Sequence, residues 1–556
     1  MGYNEFYISF NHIFLTFILF YSRDTLKWQS RFAYGEELYL QKGIRLFASV
    51  LSAAISGMEV CPVQVEADVS SGLPCFTMVG FPSTQVKEAQ DRVRTALKNN
   101  GISLPPKKVT VNLAPADLRK EGAGFDLPVA AAVLAASGFI EPQLLRNVMV
   151  VGELSLNGEV RSVSGVLPRV IRARELGCRY CIIPFENLAE GALVKDMKVV
   201  GVQNIKEVLK LVSDPDAFGK ENQFSEVNSE ENQVEESLVD FGEICGQESA
   251  RRAAEIAVSG FHNILFIGPP GTGKTMLAKR IPTIMPSLTF EESLELTKIY
   301  SIAGLLSPKR PLIKARPFRS PHHTSSSAAL AGGGRIPGPG EVTLAHRGVL
   351  FLDEMPEFAR GSLEVLRQPL EDKQIQLSRA SGTYVFPAGF ILVAAMNPCP
   401  CGYYPDMNKC RCTPGEVSHY LHKLSQPLLE RIDLCADVPP VNFSQISGEK
   451  SGESSALIRK RVEKARRIQQ KRYQNEKICF NGELSGKQIR KYCVLTENAI
   501  QVAKNAFELM ELSARSYHRI LKVSRTIADM EGEELIHTRH VAEALTYKAF
   551  DKKYRS

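Results

Sequence analysis

The sequence predicts an α/β protein that ends in a helical region, and three observations support this fold class. Short β-rich runs alternate with helical stretches over residues 47–212, as in a compact α/β domain. A glycine-rich turn at residues 268–275 follows an apolar stretch and opens into a helix-like segment. From Val441 onward, apolar residues recur mainly at helical spacing.

The length of the chain predicts several domains. A chain of 556 residues exceeds what one hydrophobic core usually supports, so about two to four domains are expected. The predicted divisions are an amino-terminal extension at 1–46, an α/β domain at 47–212, an acidic linker at 213–240, a second α/β domain at 241–440 and a helical lid at 441–556.

The elements are assigned from their apolar periodicity and length. In the first domain, the β-rich runs are 60–69, 109–113, 147–151 and 180–183, and the helical stretches are 83–100, 127–137 and 166–176. In the second domain, the apolar runs 263–267, 348–352 and 390–396 predict buried strands. The clearest lid helices are 456–472 and 497–511.

An apolar run at residues 13–21 lies close to the amino terminus. It is far shorter than the ~20 residues of a membrane-spanning helix, and no basic segment precedes it. We therefore expect no membrane association and interpret residues 1–46 as an extension that is non-native or mis-assigned. A membrane anchor is the alternative.

Charge is distributed unevenly along the chain. The formal net charge is +7, but residues 214–240 carry nine acidic residues against one lysine, which leaves +15 on the remainder. A basic body is compatible with a nucleic-acid partner. An apolar content of 44% and twelve cysteines fit a globular protein without a disulfide scaffold, so we expect a reducing cytoplasm as its compartment.

The glycine-rich turn predicts a phosphate-binding loop. A strand that ends in such a turn and opens into a helix aims backbone N–H groups at one point, where a polyphosphate binds. Lys274 is predicted to contact the β- and γ-phosphates of ATP, and Thr275 to offer a hydroxyl to Mg²⁺. A glycine turn without a ligand is the alternative. The predicted nucleotide-binding residues are Gly268, Pro269, Pro270, Gly271, Thr272, Gly273, Lys274 and Thr275.

Polar residues follow two apolar strands downstream of this loop. Asp353 is predicted to complete the Mg²⁺ shell, and Glu354 to polarise the attacking water. Asn397 is predicted to orient that water, although an amide at a strand end is also common in turns. Arg431 is predicted to reach the γ-phosphate across a subunit interface, with an intramolecular Arg–Asp pair as the alternative. Within residues 513–519, either arginine is a candidate to contact the nucleotide.

The order of these elements resembles an AAA+ ATPase of the magnesium-chelatase and MCM-like branch. Four motifs, in a resemblance that spans residues 47–550, are similar to the ComM/YifB family: Val111-Asn112-Leu113-Ala114-Pro115-Ala116-Asp117, Gly124-Phe125-Asp126-Leu127-Pro128, Arg319-Ser320-Pro321-His322-His323 and Asn397-Pro398-Cys399-Pro400-Cys401-Gly402. The resemblance implies that Arg431 is the arginine finger, that Arg515 is a second sensor and that the assembly is a homo-hexamer. It also implies ATP-driven branch migration or helicase activity on single-stranded or branched DNA in natural transformation or recombination. A chelatase-like or protein-remodelling ATPase is the alternative.

The amino-terminal domain of that family resembles the Lon protease fold, in which a Ser–Lys dyad hydrolyses peptides. The corresponding stretch, residues 120–128, contains no serine. Because an acidic or apolar side chain cannot replace the nucleophile, we predict a non-proteolytic module.

Four cysteines follow the Asn397 strand within fourteen residues, namely Cys399, Cys401, Cys410 and Cys412. Four thiolates so close together can form a tetrahedral site for structural Zn²⁺. The single-residue spacing within each pair is tighter than usual, and free thiols or redox pairing are the alternatives.

A basic insertion at residues 301–347 lies between the phosphate loop and Asp353. In MCM-like ATPases, insertions here and hairpins before the first sensor face the ring channel. Residues 309–319 and Arg379 are therefore candidate DNA-backbone contacts, with a solvated insertion as the alternative. The insertion carries Lys309, Arg310, Lys314, Arg316, Arg319, His322 and His323. Residues 459–472 form a second basic cluster. Apolar residues at helical spacing give this segment an inward face, and the alternative for its basic residues is the solvated face of a lid helix.

Overall fold

The computed structural model describes residues 46–213, 239–334, 337–380, 382–441 and 452–548. The extension predicted at 1–46 and the acidic linker predicted at 213–240 lie almost entirely outside the described residues. The described residues divide into two compact units, one formed by 46–54 and 60–213 and the other by 55–59 and the described residues from 239 to 548. The predicted α/β class with a helical carboxy-terminal region is confirmed. Within the described ranges, no helix is long and apolar enough to cross a membrane.

The first unit is built on a mixed sheet. Its strands are β1 (Leu46–Ser56), β2 (Glu59–Ser70), β3 (Cys75–Val79), β4 (Lys108–Ala114), β5 (Val148–Val150), β6 (Glu153–Leu154), β7 (Val160–Arg161), β8 (Tyr180–Pro184) and β9 (Val199–Val202). Its helices are α1 (Thr84–Lys87), α2 (Ala89–Asn99), α3 (Asp126–Ala136), α4 (Val166–Glu175), α5 (Leu188–Gly191) and α6 (Ile205–Ser213). The seven-stranded sheet has the order β3-β4-β2-β1-β5-β8-β9, and β6 pairs with β7. The predicted runs correspond to β2, β4, β5 and β8, whereas β1, β3, β6, β7 and β9 were not predicted.

Residues of two family motifs, 111–117 and 124–128, take part in the hydrogen bonds of buried charged groups in the core of this unit. All residues of α3 are buried, including Asp126, and the Arg92 guanidinium donates to both oxygens of that carboxylate at 2.7 and 2.9 Å. Lys120 is also fully buried, and its ammonium donates to the carbonyl oxygens of Gly80 and Pro115. Both charges are therefore satisfied inside the unit, as buried charges require. The non-proteolytic assignment stays a prediction.

The second unit contains the phosphate loop and the helical region. Its strands are β10 (Ile264–Ile267), β11 (Phe318–Arg319), β12 (Gly332–Gly333), β13 (Gly338–Pro339), β14 (Val349–Leu352), β15 (Gln374–Arg379), β16 (Gly382–Pro387), β17 (Ile391–Met396) and β18 (Leu434–Asp437). Its helices are α7 (Glu248–Gly260), α8 (Lys274–Ile284), α9 (Phe290–Ile302), α10 (Ser327–Ala331), α11 (Glu341–Leu344), α12 (Arg360–Glu364), α13 (Arg367–Asp372), α14 (Pro414–His422), α15 (Gln426–Leu429), α16 (Ser455–Arg472), α17 (Gly486–Tyr492), α18 (Glu497–Leu509), α19 (Ala514–Glu531) and α20 (Thr538–Thr546).

A five-stranded parallel sheet in the order β11-β14-β17-β10-β18 organises this unit. Successive residues of β10 enter different cores, as the period of two in a strand requires. Ile264 and Phe266 join a cluster that includes the helical region, whereas Leu265 and Ile267 join the cluster on the other face. Because both faces of the sheet are covered by other elements, the sequences of its strands are continuous apolar runs. Their carboxyl ends meet at one edge, where the loops that bear the predicted site residues begin.

Candidate functional site

The phosphate loop connects β10 to α8, and its glycines are required by space and backbone conformation. A side chain at Gly268 would collide with the carbonyl oxygen of Val438. Gly271 and Gly273 have φ of +76° and +90°, a region that glycine enters without steric cost. No side chain caps the first turn of α8, so its backbone N–H groups remain available to an anion.

Lys274 begins α8 and is nearly enclosed at this edge. Its ammonium donates to the carbonyl oxygens of Gly268 at 2.7 Å and Pro269 at 2.8 Å, and to Oδ1 of Asn397 at 3.1 Å. Burial lowers the pKa of Lys274, and the nearby carboxylates of Asp353 and Glu354 oppose that shift. The two sequence motifs that carry Lys274 and Asn397, separated by more than a hundred residues, therefore meet in one site.

Thr275 and Asp353 form the oxygen pair of the site. The Thr275 hydroxyl donates to Oδ2 of Asp353 at 2.7 Å, while Oδ1 of Asp353 accepts from the backbone N–H of Glu354 at 3.0 Å. A hydroxyl and a carboxylate are hard oxygen donors, and Mg²⁺ binds few protein oxygens while keeping several waters. The residues present thus fit Mg²⁺.

Glu354 follows directly and adopts a left-handed conformation with φ of +50°. Its carboxylate is exposed and lies 3.8 Å from Nδ1 of His323. The His323 ring lies 4.1 Å from the ring of His322 in a tilted contact and meets the edge of Phe358. The insertion thus contributes a histidine beside Glu354. The sequence signal was the Arg-Ser-Pro-His-His motif, whose histidines were predicted to belong to the basic insertion but not to the site.

Arg431 and Arg515 lie together and share one carboxylate. The Arg431 guanidinium donates to Oε2 of Glu371 and to the carbonyl oxygen of Pro427. Arg515 lies 3.4 Å from Oε1 of the same Glu371 and 3.6 Å from Oε2 of Glu430. In the described part of the chain, neither arginine is hydrogen-bonded or ion-paired to the phosphate loop. The sequence analysis did not single out Glu371.

The aspartate that follows Arg431 in sequence pairs with other groups. Asp433 does not pair with Arg431 among the described contacts; it lies 3.7 Å from Arg519 and 3.6 Å from His262. Burial disfavours its charged form, but His262, Arg519 and Lys522 outweigh it and keep the pKa of Asp433 well below its ordinary value. Arg519 is therefore a structural residue, whereas the Arg515 side chain is 56% exposed.

The four cysteines converge in a loop at 399–412, which we name the cysteine loop. All four sulfur atoms lie within 4.8 Å of one another. Sγ of Cys399 is 3.3 Å from that of Cys401 and 3.8 Å from that of Cys410. These separations exceed an S–S bond of about 2.05 Å and approach the separation of about 3.8 Å expected around tetrahedral Zn²⁺. The cluster can therefore hold a metal ion.

The thiols of this loop differ in their pKa: for Cys410 and Cys412 a favourable backbone hydrogen bond is outweighed by desolvation and the neighbouring thiols, which raise the pKa, whereas the pKa of Cys401 is lowered. The N–H groups of Gly402 and Tyr404 donate to Sγ of Cys399 at 3.2 and 3.4 Å. Desolvation opposes the thiolate of Cys401, but hydrogen bonds from the backbone of Tyr403 and Arg411 and from neighbouring thiols outweigh it and lower its pKa to about 6. Thiolates are the form that binds metal.

Part of the DNA-contact prediction was wrong. Arg316 is internal: it donates to the carbonyl oxygens of Pro286 at 2.5 Å and Arg347 at 2.7 Å, and it pairs with Glu292. Arg319 forms a bidentate pair with Glu341, with both distances 2.7 Å. These guanidiniums hold the insertion together. The exposed basic residues within 309–319 are Lys309, Arg310 and Lys314, and Arg379 is exposed at the end of β15.

The basic cluster 459–472 on α16 is also largely structural. Arg459 donates to the carbonyl oxygen of Thr283, and the carboxylate partners of its neighbours lie elsewhere in the unit. Those pairs are Arg461 with Glu255, Arg466 with Glu292 and Arg472 with Asp529. The interpretation as a solvated helix face therefore does not hold for Arg466 and Arg472, whose side chains are 11% and 18% exposed, although Lys460, Lys464, Arg467 and Lys471 are exposed.

A cleft of about 1090 Å³ opens beside the phosphate loop. Its lining includes residues Pro269 to Gly273, the segment that precedes α7, and part of the cysteine loop. Ile244 and Leu277 make one part of it apolar. An apolar pocket next to a phosphate loop matches the two ends of a nucleotide, a base and a polyphosphate.

Comparisons with known proteins agree with this architecture. Three family models match: magnesium chelatase, subunit ChlI, at residues 240–446; subunit ChlI of Mg-chelatase at 65–187; and magnesium chelatase, subunit ChlI C-terminal, at 452–548. The chain is 44% identical over 506 residues to the competence protein ComM of Haemophilus influenzae, which covers 90% of this chain and 97% of that relative.

Two further relatives are similar over the same extent. The uncharacterized protein YifB of Salmonella typhimurium is 42% identical over 508 residues, with 91% of this chain and 97% of the relative covered. YifB of Escherichia coli is 43% identical over 504 residues, with 90% and 97% covered. The chain therefore belongs to the ComM/YifB family of magnesium-chelatase-like AAA+ proteins.

Proposed function

We propose that this protein is a Mg²⁺-dependent ATPase that assembles into a homo-hexameric ring and acts on DNA in the cytoplasm. The observation that carries the ATPase assignment is the meeting of Lys274 with Asn397, and of Thr275 with Asp353, at one edge of the sheet. A cation, an amide, a hydroxyl and a carboxylate are the groups that phosphoryl transfer from ATP requires there.

The residues have distinct roles in this proposal. Thr275 and Asp353 hold Mg²⁺, which neutralises charge on the β- and γ-phosphate oxygens when bound. Lys274 binds the same phosphates, and the exposed Glu354 carboxylate orients water and accepts its proton. The oxygen of that water then bonds to the γ-phosphorus while the bond to the bridging oxygen breaks, and ADP and phosphate leave.

The two arginines support a site shared between subunits. Arg431 and Arg515 converge on Glu371, and they bind no phosphate-loop residue within the described ranges. An arginine that does not contact the phosphate loop of its own subunit can instead contact the nucleotide bound to a neighbouring subunit, as an arginine finger does. A closed ring gives every subunit such a neighbour.

The DNA assignment has weaker support. The Haemophilus influenzae relative is named a competence protein, which favours branch migration or helicase activity in natural transformation or recombination. The candidate residues for DNA-backbone contacts that are exposed are Lys309, Arg310, Lys314 and Arg379. The chelatase names of the family models favour a second candidate, an ATPase that drives a partner enzyme or remodels a protein.

The test is the ATPase rate with and without single-stranded and branched DNA. We expect DNA to stimulate the unmutated protein, Lys274→Ala to lose nucleotide binding, and Glu354→Gln to bind nucleotide without turning it over. If the unmutated protein hydrolyses ATP but neither binds DNA nor responds to it at modest salt, the second candidate replaces the DNA-acting motor.

For the cysteine loop we propose Zn²⁺, because four thiolates at these separations suit a tetrahedral ion. Metal analysis of the purified protein, with Cys399→Ser plus Cys412→Ser as the comparison, tests this. We expect about one zinc per chain in the unmutated protein and none in the variant. A zinc-free unmutated protein would exclude the site.

A further inference from the structure

The cysteine loop and the phosphate loop face the same cleft. Pro269 to Gly273 line one part of it, and Cys401, Tyr403, Lys409 and Arg411 line another. The cysteine loop begins two residues after Asn397, whose side chain bonds to Lys274. The loop that holds the thiols is thus also part of the nucleotide-binding surface.

The two loops are in direct contact. A Cβ placed on Gly402 would lie 2.5 Å from Cδ of Pro270, so only glycine allows the cysteine loop to approach this closely. Gly402 also has φ of +88°, which favours glycine independently. Its backbone N–H donates to Sγ of Cys399. The turn that packs on the phosphate loop is therefore the same turn that wraps one thiol of the cluster.

Arg411 is held by the cluster and presented to the cleft. It lies between Cys410 and Cys412, so its backbone is fixed on both sides when the thiols share one ion. Its side chain is exposed and, among the described residues, forms no ion pair. Lys409 also lines the cleft but lies 3.7 Å from the carboxylate of Asp406. Arg411 is therefore the cation of this loop best placed for a polyphosphate, which a planar guanidinium binds through two N–H groups.

We propose that the cysteine loop, with Zn²⁺ or a similar divalent ion bound to its four thiols, lines one side of the nucleotide site. In this proposal, Arg411 binds the polyphosphate of a nucleoside triphosphate. The inference rests on the proposed nucleotide binding and adds a dependence on the metal. Without the ion, the thiols no longer constrain residues 399–412, and the Arg411 contact and the Gly402 packing on Pro270 are lost together. Metal occupancy then sets nucleotide affinity.

The experiment measures binding of a fluorescent ATP analogue with Mg²⁺ to the full chain. We expect Arg411→Ala to keep its zinc and to bind the analogue about tenfold more weakly, or about 1.4 kcal/mol. The matched control is Arg490→Ala, which removes an exposed arginine of α17 that does not line the cleft. This control should bind within about twofold of the unmutated protein.

Metal removal tests the second half of the proposal without a mutation. Zinc is stripped with a chelator and then restored as Zn²⁺ alone, with circular dichroism recorded at each step. We expect nucleotide affinity to fall by at least tenfold on stripping and to return on reloading, while the helical signal persists. Unchanged affinity in both the stripped protein and Arg411→Ala overturns the inference, as does a chain that never binds zinc.

The same data separate this inference from the proposed function. If the unmutated protein does not bind the analogue, or if Lys274→Ala binds it equally well, nucleotide binding at the phosphate loop itself fails. If Lys274→Ala loses binding but Arg411→Ala and the stripped protein do not, the ATPase proposal stands and only the role of the cysteine loop is rejected.

Discussion

Glu354 occupies a backbone conformation that costs a residue with a side chain about 1 kcal/mol or more. Its φ is +50°, it directly follows Asp353, and its carboxylate is exposed rather than buried in a stabilising pair. Backbone hydrogen bonds hold this conformation: the Glu354 N–H donates to Oδ1 of Asp353, and the Glu354 carbonyl oxygen accepts from the N–H of Glu357. The exposed carboxylate beside Asp353 is consistent with the proposed role of Glu354 in orienting water.

Glu354→Gln should therefore separate chemistry from folding. The amide is isosteric but accepts no proton at neutral pH, so we expect turnover to fall by roughly 10²- to 10⁴-fold while the melting temperature is unchanged. Glu354→Gly should also lose turnover but melt slightly higher, because glycine relieves the positive φ. Turnover close to that of the unmutated protein in either variant would remove Glu354 from the mechanism.

Arg431 and Arg519 form a second contrast. Arg431 is bound by the half-exposed Glu371, whereas Arg519 is buried against Asp433. We expect Arg431→Ala to retain nucleotide binding and thermal stability but to lose hydrolysis. Arg519→Ala should instead lower the stability of the fold by about 3 kcal/mol, because it leaves a buried carboxylate with one partner fewer.

Calorimetry and an ATPase assay on both variants test this pair. Normal hydrolysis by Arg431→Ala would rule out its assignment as a finger. Glu371→Gln is a useful addition, because it removes the carboxylate that positions both Arg431 and Arg515 without removing either guanidinium. We expect a lower kcat with little change in melting temperature, since the Glu371 side chain is half-exposed and a pair that water reaches contributes about 1 kcal/mol.

The insertion between the phosphate loop and Asp353 is held in place by its own charges. Glu292 at the start of α9 is the centre of this network: burial disfavours its carboxylate, but Arg316, Arg466 and Arg347 outweigh burial and lower its pKa. The element is thus attached both to α9 and to the lid helix α16. Arg316, which was predicted from the sequence to contact DNA, is thus one of the residues that hold the insertion in place.

Arg316→Ala and Lys309→Ala distinguish the two roles. Arg316→Ala breaks a buried pair and should lower the free energy of unfolding by about 3 kcal/mol. Lys309→Ala, at an exposed site, should change stability by less than about 0.5 kcal/mol and reduce the salt dependence of DNA affinity by about one counterion. Denaturant titration and DNA titrations at several salt concentrations measure both. DNA affinity unaffected by Lys309→Ala would remove this segment from the interface.

At the scale of the whole molecule, the proposed site between subunits can be tested with mixtures of two variants. Lys274→Ala retains Arg431, and Arg431→Ala retains the phosphate loop, so each variant lacks what the other provides. In mixed rings about a quarter of the interfaces combine an intact loop with an intact finger. We expect two inactive preparations to regain partial ATPase activity on mixing. No recovery, with subunit exchange verified by labelled chains, would contradict a site completed across an interface.

Much of the candidate site could be predicted because its signals are local. The strands β10, β14 and β17 are apolar runs followed directly by Gly268, Asp353 and Asn397, and parallel strands bring their carboxyl ends to one edge. The helices of the lid were also close to prediction, with α18 ending at Leu509 rather than at residue 511. For Gly268, Asp353 and Asn397, the position directly after a strand is enough to predict that they lie close together.

Pairings between distant side chains were decided only by the tertiary structure. Arg515 and Glu371 are 144 residues apart, and no periodicity connects them. The positive charges of 309–319 look alike in sequence, yet Arg316 is nearly buried and Arg319 is paired with Glu341, whereas Lys309 is exposed. Whether a cation pairs inside a protein depends on which carboxylates the packed elements bring within reach, and local sequence does not contain that information.

The sequence by itself determined the α/β class, the phosphate loop with its acidic and amide partners, the four-cysteine pattern and the family. The tertiary structure decided that Arg431 and Arg515 share Glu371, that His323 lies beside Glu354, and that the cysteine loop packs on the phosphate loop. The reason is physical: strand-end motifs are positioned by the hydrogen bonds of their own sheet, whereas loops and charged side chains are positioned by what the packing of other elements places against them.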